Sequence, residues 1–184
     1  KAIIATDFAG HPCDWDGLKY LSRKYNLKLI NDNCHSIGAE FRNNLQYAQK
    51  YADFVVHSYH AVKNITTGEG GAVLTNSKYY KDKIDKLKSH GVIKNVDIGS
   101  PWKYDMIDLG LNYRMTDIQA SLGISQLKKL KKFLKKRREI ADLYNKLLSG
   151  LNFCKLPIVN KHIKHAYHLF PILIDFNKIN INKS

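Results

Sequence analysis

The chain has 184 residues, 44% of them hydrophobic and 11% aromatic. That is the size of one ordinary domain with enough apolar surface for a core, which excludes a disordered or low-complexity chain. The 30 basic and 16 acidic residues leave a formal net charge of +14, which puts nucleic-acid binding among the candidate functions. Much of the excess lies in residues 128–138, KKLKKFLKKRR. There the cations alternate with Leu130, Phe133 and Leu134 at helical spacing, so the run reads first as the wet face of an amphipathic helix. Asn and Ile are also abundant, a bias that accounts for part of the charge, and no recognisable RNA- or DNA-binding motif accompanies it. Cys13, Cys34 and Cys154 form no CxxC pair and no His-Cys ladder. Neither a metal site nor a disulfide framework is suggested, and a reducing cytoplasm is the simplest compartment. No apolar run approaches a membrane span, and the start lacks a signal-peptide pattern. The opening KAIIATDFAG already reads as a strand entering a loop, so the chain is expected to begin inside a fold.

In chain order, residues 2–6 form a short apolar run ending at Asp7, a buried strand. Residues 11–26 carry a helical pattern with Asp14 or Asp16 as N-cap and Leu18, Leu21 and Tyr25 on one face. A second strand follows over 27–32, completing a βαβ unit whose strands should be parallel. Further strands are expected over 53–59 and 70–76. Ser77 caps a helix over 78–89 with Tyr80, Ile84 and Leu87 as its stripe. Residues 90–111 show no clear period and are expected to be a long loop. From Thr116 one long helix runs to the stop signal at Gly150. Its stripe is Ile118, Leu122, Gln126, Leu127, Leu130, Phe133, Leu134, Ile140, Ala141, Tyr144 and Leu148, with a kink or break expected near Gly123. Residues 165–176 read as a last strand, an orphan edge with little following it. Strands alternating with helices predict an α/β fold, a mainly parallel sheet with helices on both faces.

Ligands of open α/β sheets bind beyond the carboxyl ends of the strands. That rule selects Asp32 and His35 after the second strand and the stretch from Ser58 to Lys63 after the third. An aspartate, a histidine, a hydroxyl and a lysine, without a metal cluster or a cysteine nucleophile, fit a pyridoxal phosphate enzyme. Such an enzyme needs a lysine to form a Schiff base, a carboxylate to keep the pyridine nitrogen protonated, and hydroxyls or amides for the phosphate. An ordinary lysine amine, with a pKa of about 10.4, is almost wholly protonated at neutral pH, so the reactive lysine must be tuned by burial or charge. Taken alone, the glycines of TTGEGG are weak signals. The lysine precedes them, so they form no P-loop.

The segments LINDNCHSIGAEF, SYHAVKNITTGEGGAVLTN and LGLNYRMTDIQASLGISQLKKL resemble the DegT/DnrJ/EryC1/StrS family of pyridoxal phosphate aminotransferases acting on nucleotide-linked keto sugars. Within it, DFAGHPCD and the HGV…PWKYDMIDLGLNYRMTDIQ region are most similar to the transaminases of pseudaminic acid biosynthesis. Those enzymes aminate a UDP-linked 4-keto-6-deoxy sugar with L-glutamate as donor. The resemblance implies that Lys63 is the Schiff-base lysine and Asp32 the partner of the pyridine nitrogen. It sets His35 beside the cofactor ring, and Ser58 on the phosphate. It also implies that Asn112 reaches the phosphate in the neighbouring subunit of a homodimer. His60 and Arg114 are weaker candidates for substrate contact. A dehydratase of the same family would have lost the lysine, typically to histidine. Asn31 and Asn33 stand where the family often has an acidic residue and a small one. The resemblance further implies the central part of a fold type I (aspartate aminotransferase-like) enzyme. Residues 1–115 would belong to the cofactor-binding large domain, 116–150 to a linking helix and 151–184 to the start of the small C-terminal domain. Family members are longer, with an N-terminal part carrying the substrate pocket, so this chain is expected to be a central fragment that binds the cofactor poorly alone.

Overall fold

The computed structural model describes residues 1–94 and 102–179. Its strands are β1 (Ala2–Thr6), β2 (Lys28–Asp32), β3 (Glu40–Phe41), β4 (Phe54–Ser58), β5 (Gly71–Leu74), β6 (Val92–Lys94), β7 (Tyr104–Met106), β8 (Cys154–Lys155), β9 (Ile163–Lys164) and β10 (Leu173–Ile174). Its α-helices are α1 (Trp15–Lys24), α2 (Tyr47–Tyr51), α3 (Lys78–Leu87) and α4 (Asp117–Leu148). The main sheet has the order β1-β2-β4-β5, with β1, β2 and β4 parallel and β5 antiparallel to β4. The expected α/β architecture with a mainly parallel sheet is therefore observed.

Because side chains alternate along a strand, the sheet has two different faces. Ile3, Leu29, Val55 and Leu74 look toward α1, α2 and α4, where Trp15, Tyr47, Phe41 and Leu134 complete the core. The opposite face carries Ile4, Ile30, Phe54 and Val56 in register. At its edge α3 contributes Tyr80, whose ring centroid lies 4.8 Å from that of Phe54. Helix starts follow their caps. Asp14 accepts from the Gly17 amide, Ser77 from the Tyr80 amide, and Thr116 forms a capping box with Gln119.

Several expectations need correction. Helix α1 buries Trp15 and Ser22, while Leu21 and Tyr25 are exposed, because the helix rests on the sheet by its other edge. Asp16 is not the cap; it accepts from the Tyr51 hydroxyl at 2.7 Å and pairs with Arg42 at 2.6 Å. The expected loop over 90–111 is corrected where it is described, since β6 and β7 pair as an antiparallel ladder, and residues 95–101 of it lie outside the described residues. Helix α4 runs unbroken through Gly123. A Cβ there would lie 2.9 Å from Thr67 Cγ2, so the glycine serves close packing against the 59–71 loop and no kink.

The strand expected over 165–176 is reduced to β10 at Leu173–Ile174, which pairs with β8, while β9 before the segment pairs with β3. Between them the backbone turns away from any ladder: Ala166 and Leu169 donate to the carbonyls of Gly10 and Ala9 at 2.9 and 3.1 Å. The basic run of α4 is partly internal. Arg137 donates to the carbonyls of Tyr167 and His168, and Arg138 to those of His165 and Gly38.

Candidate active site

The carboxyl ends of β2 and β4 bring the predicted residues together. Asp32 is in register with Thr6 and Val56, and Ser58, two residues beyond Val56, points to the same face. The Asp32 carboxylate accepts from the Cys34 amide at 3.1 Å and from the Thr6 hydroxyl at 3.3 Å. Partial burial works against its charge, but the bonds from Cys34 and Thr6 and the nearby His35 outweigh that cost, so its carboxyl titrates below the usual range. It is a carboxylate held ionised, as a partner for a protonated ring nitrogen must be.

His35 sits on the turn after β2. Its Nδ1 accepts from the Ala9 amide at 3.2 Å, which puts the ring proton on Nε2 in the neutral form. Burial first, and then the positive charge of Lys63, hold its pKa below that of a free imidazole, against the pull of Asp32. The same Lys63 charge acts on Cys34 and on His168. The half-buried lysine therefore stands in one electrostatic neighbourhood with Asp32 and His35. Its loop is closely bonded: Lys63 N donates to His60 O at 3.0 Å, Thr67 N to Tyr59 O at 2.9 Å and Tyr59 N to Gly70 O at 2.8 Å. Helix α4 braces it through Gln119, which donates to Glu69 O at 3.1 Å. Ser58 Oγ accepts from the His60 amide at 3.3 Å, which uses a lone pair and leaves the hydroxyl proton for an outside acceptor.

The other candidates stand apart. His60 is exposed, with Nε2 3.7 Å from Glu69 Oε1. Asn112 bridges Ser89 by its backbone, and its side chain is exposed. Arg114 lines a half-open cleft of about 1370 Å³ with Gly70, Val73 and Lys88, a concavity beside the Asp32–Lys63 cluster that includes neither residue. Among the described residues no group of three or more ligands could hold a metal ion. Burial, the first cause for each, pushes the thiols of Cys13 and Cys34 up to about 12, which favours their protonated form at neutral pH.

Three neighbours escaped the sequence. Thr6, at the end of a run read as buried strand, bonds Asp32. Phe8 lies 5.8 Å from the His35 ring, centroid to centroid, and His168 lies 4.4 Å from it. Burial, followed by the charges of His35, Lys63 and Arg137, lowers the pKa of His168 to about 4, so it is neutral beside the lysine. Only long-range pairing could have found it, because it follows Lys63 by more than a hundred residues.

A model of the DegT/DnrJ/EryC1/StrS aminotransferase family matches residues 1–183. The chain belongs to this family. It is 41% identical over 173 residues to the UDP-4-amino-4,6-dideoxy-N-acetyl-beta-L-altrosamine transaminase of Campylobacter jejuni, covering 94% of this chain and 44% of that one. Among solved structures, Helicobacter pylori PseC, an aminotransferase involved in the biosynthesis of pseudoaminic acid, superposes with a TM-score of 0.88. It is 33% identical, over 98% of this chain and 47% of that one. A Streptococcus pneumoniae protein classed as a sugar aminotransferase, solved in its PLP form, gives a TM-score of 0.82 at 26% identity over 95% and 48% of the two chains. The fold is therefore that of the pyridoxal phosphate-dependent aminotransferases, and this chain spans about half the length of the relatives it matches.

Proposed function

We propose that the whole protein of which these residues form part is a pyridoxal phosphate-dependent aminotransferase of nucleotide-linked keto sugars. The observation that carries this is the convergence of Lys63, an ionised Asp32 and His35 at the ends of adjacent parallel strands, with Ser58 on the same face. These residues fit the cofactor: a carboxylate kept charged, an amine close by, and a hydroxyl whose proton is free for phosphate. When bound, pyridoxal phosphate supplies an aldehyde that takes up amino groups and a ring that accepts electrons.

The protein's own residues supply the rest. Lys63 Nζ would tether the cofactor and, when free of it, hold or move a proton. Asp32 would supply a fixed negative charge for a protonated ring nitrogen. His35, neutral and oriented by the Ala9 amide, would offer a flat surface to an aromatic ring, and the Ser58 hydroxyl would donate to a phosphate. The loss of lysine that marks the family's dehydratases has not occurred here.

In this reading residues 1–115 belong to the cofactor-binding domain, 116–150 link and 151–184 begin the small domain. Asn112, exposed on its segment, reaches a second subunit. Tyr104, Met106, Leu109 and Tyr113, each at least 65% exposed, supply apolar area for such a homodimer. Relatives named for altrosamine and pseudoaminic acid support a UDP-linked 4-keto-6-deoxy sugar as acceptor; the reading adds L-glutamate as donor, with His60 and Arg114 as candidate substrate contacts. The cytoplasm is the compartment this implies. None of the described helices is long and apolar enough to cross a membrane. Incubation of the full-length protein with cofactor, glutamate and a UDP-4-keto-6-deoxy sugar should yield an amino sugar and 2-oxoglutarate. A product that loses a hydroxyl without gaining nitrogen would overturn the aminotransferase reading in favour of a dehydratase.

A further inference from the structure

Asp7 is fully buried, with no exposed surface, yet the proposed chemistry gives it no task. Its carboxylate accepts five hydrogen bonds. Oδ1 takes the Cys13 amide at 2.8 Å and the Trp15 indole at 3.1 Å, and Oδ2 takes Asn31 and Asn33, each at 3.0 Å, and the Tyr47 hydroxyl at 2.6 Å. Tyr47 in turn accepts from Asn33 at 2.9 Å, so its own proton goes to Asp7. Every partner donates, which is the environment of an ionised acid. Burial raises the pKa of the carboxyl above its usual value, and the bonds from Tyr47, Cys13, Asn31 and Trp15 pull it down without reversing that shift.

The bonds around Asp7 bracket the site. Asn31 and Asn33 flank Asp32 in sequence and point to the opposite face of the sheet. The Asp7 amide donates to Asp32 O at 3.1 Å. Its carbonyl accepts from Ser36 Oγ at 2.8 Å, next to His35, and from the Gly10 amide at 3.2 Å. Gly10 follows Ala9, whose amide holds the His35 ring. We propose that Asp7 is a positioning residue: its buried carboxylate and backbone fix the 31–36 turn so that Asp32 and His35 present their side chains to the cofactor. This rests on the aminotransferase reading and goes beyond it, because Asp7 faces away from the site.

The test uses the full-length protein loaded with pyridoxal phosphate and reads the pH midpoint of the cofactor's visible band and the cofactor dissociation constant. Asp7→Asn should shift the midpoint and weaken cofactor binding about tenfold. Leu29→Ala cuts the same core but has no hydrogen bond to the turn, so it should lower the melting temperature and leave the midpoint in place. If Asp7→Asn does not fold, Tyr47→Phe, which removes one donor, carries the test with the same expectation. A midpoint unchanged in the Asp7 or Tyr47 variant, or shifted equally by Leu29→Ala, would overturn the proposal and leave Asp7 as packing only. A colourless unmutated protein would instead overturn the functional reading itself, and this inference with it.

Discussion

The two faces of β2 differ more than its five residues suggest. Leu29 and Asn31 turn inward and are completely buried. Ile30 and Asp32 turn to the other face, where Ile4 on the neighbouring strand is 70% exposed. On the inner side Asn31 and Asn33 donate their side-chain N–H groups to Asp7, and Asn33 also to Tyr47. On the outer side Asp32 keeps its charge and Ser58 its proton for something outside the chain. One strand therefore serves stability with its odd-numbered residues and chemistry with its even-numbered ones. The asparagines flanking Asp32 lie on the side of the sheet opposite Asp32 and Ser58 and donate to Asp7.

If this division holds, variants on the two faces should fail differently. The largest effect is expected for Lys63→Ala in the full-length protein. Turnover should fall by at least about a thousandfold, with unfolding free energy within about 0.5 kcal/mol of the parent, measured by steady-state assay and urea titration. Next is Leu29→Ala, which should cost about 3 kcal/mol in urea unfolding through its core cavity while the reducible cofactor adduct survives. Parallel losses of stability and chemistry in both variants would break the comparison.

A smaller effect concerns pH. His165 and His168 have pKa values lowered from 6.5 to about 4 in the folded chain, burial being the first cause for each. The unfolded chain then binds more protons than the folded one between these values, so stability falls as pH drops from about 6.5 toward 4. The melting temperature should decline steadily through that window; a flat profile would show that neither imidazole is held neutral. The smallest effect is at the loop brace. Gly123→Ala gains helix propensity but drives a methyl against Thr67, for a net loss of about 1 kcal/mol. Adding Thr67→Ser, which removes that methyl, should recover most of it.

The strand ends carrying Asp32 and Ser58 and the lysine loop were legible because they are local: apolar runs stop, and polar residues follow at once. The caps at Asp14 or Asp16 and at Ser77 were legible for the same reason, although the choice between Asp14 and Asp16 needed Tyr51 and Arg42, distant in sequence. What escaped was set by contacts across the chain. Residues 165–176 have a strand's composition, but the hydrogen bonds from Ala166 and Leu169 to the 9–10 turn hold the first part of the segment out of any ladder and leave only Leu173–Ile174 paired. Gly123 looked like a weak point in a helix because its partner, Thr67, lies on another element. Asp7 read as the end of a strand, and nothing local announced the five donors that converge on it.

The central claim is that Lys63, alone among the lysines, carries the chemistry. Borohydride reduction of the full-length protein loaded with pyridoxal phosphate, followed by proteolysis and mass spectrometry, tests it most directly. One pyridoxyl adduct is expected, on Lys63, and none in Lys63→Ala. An adduct fixed on another lysine, or one that persists in Lys63→Ala, would contradict it.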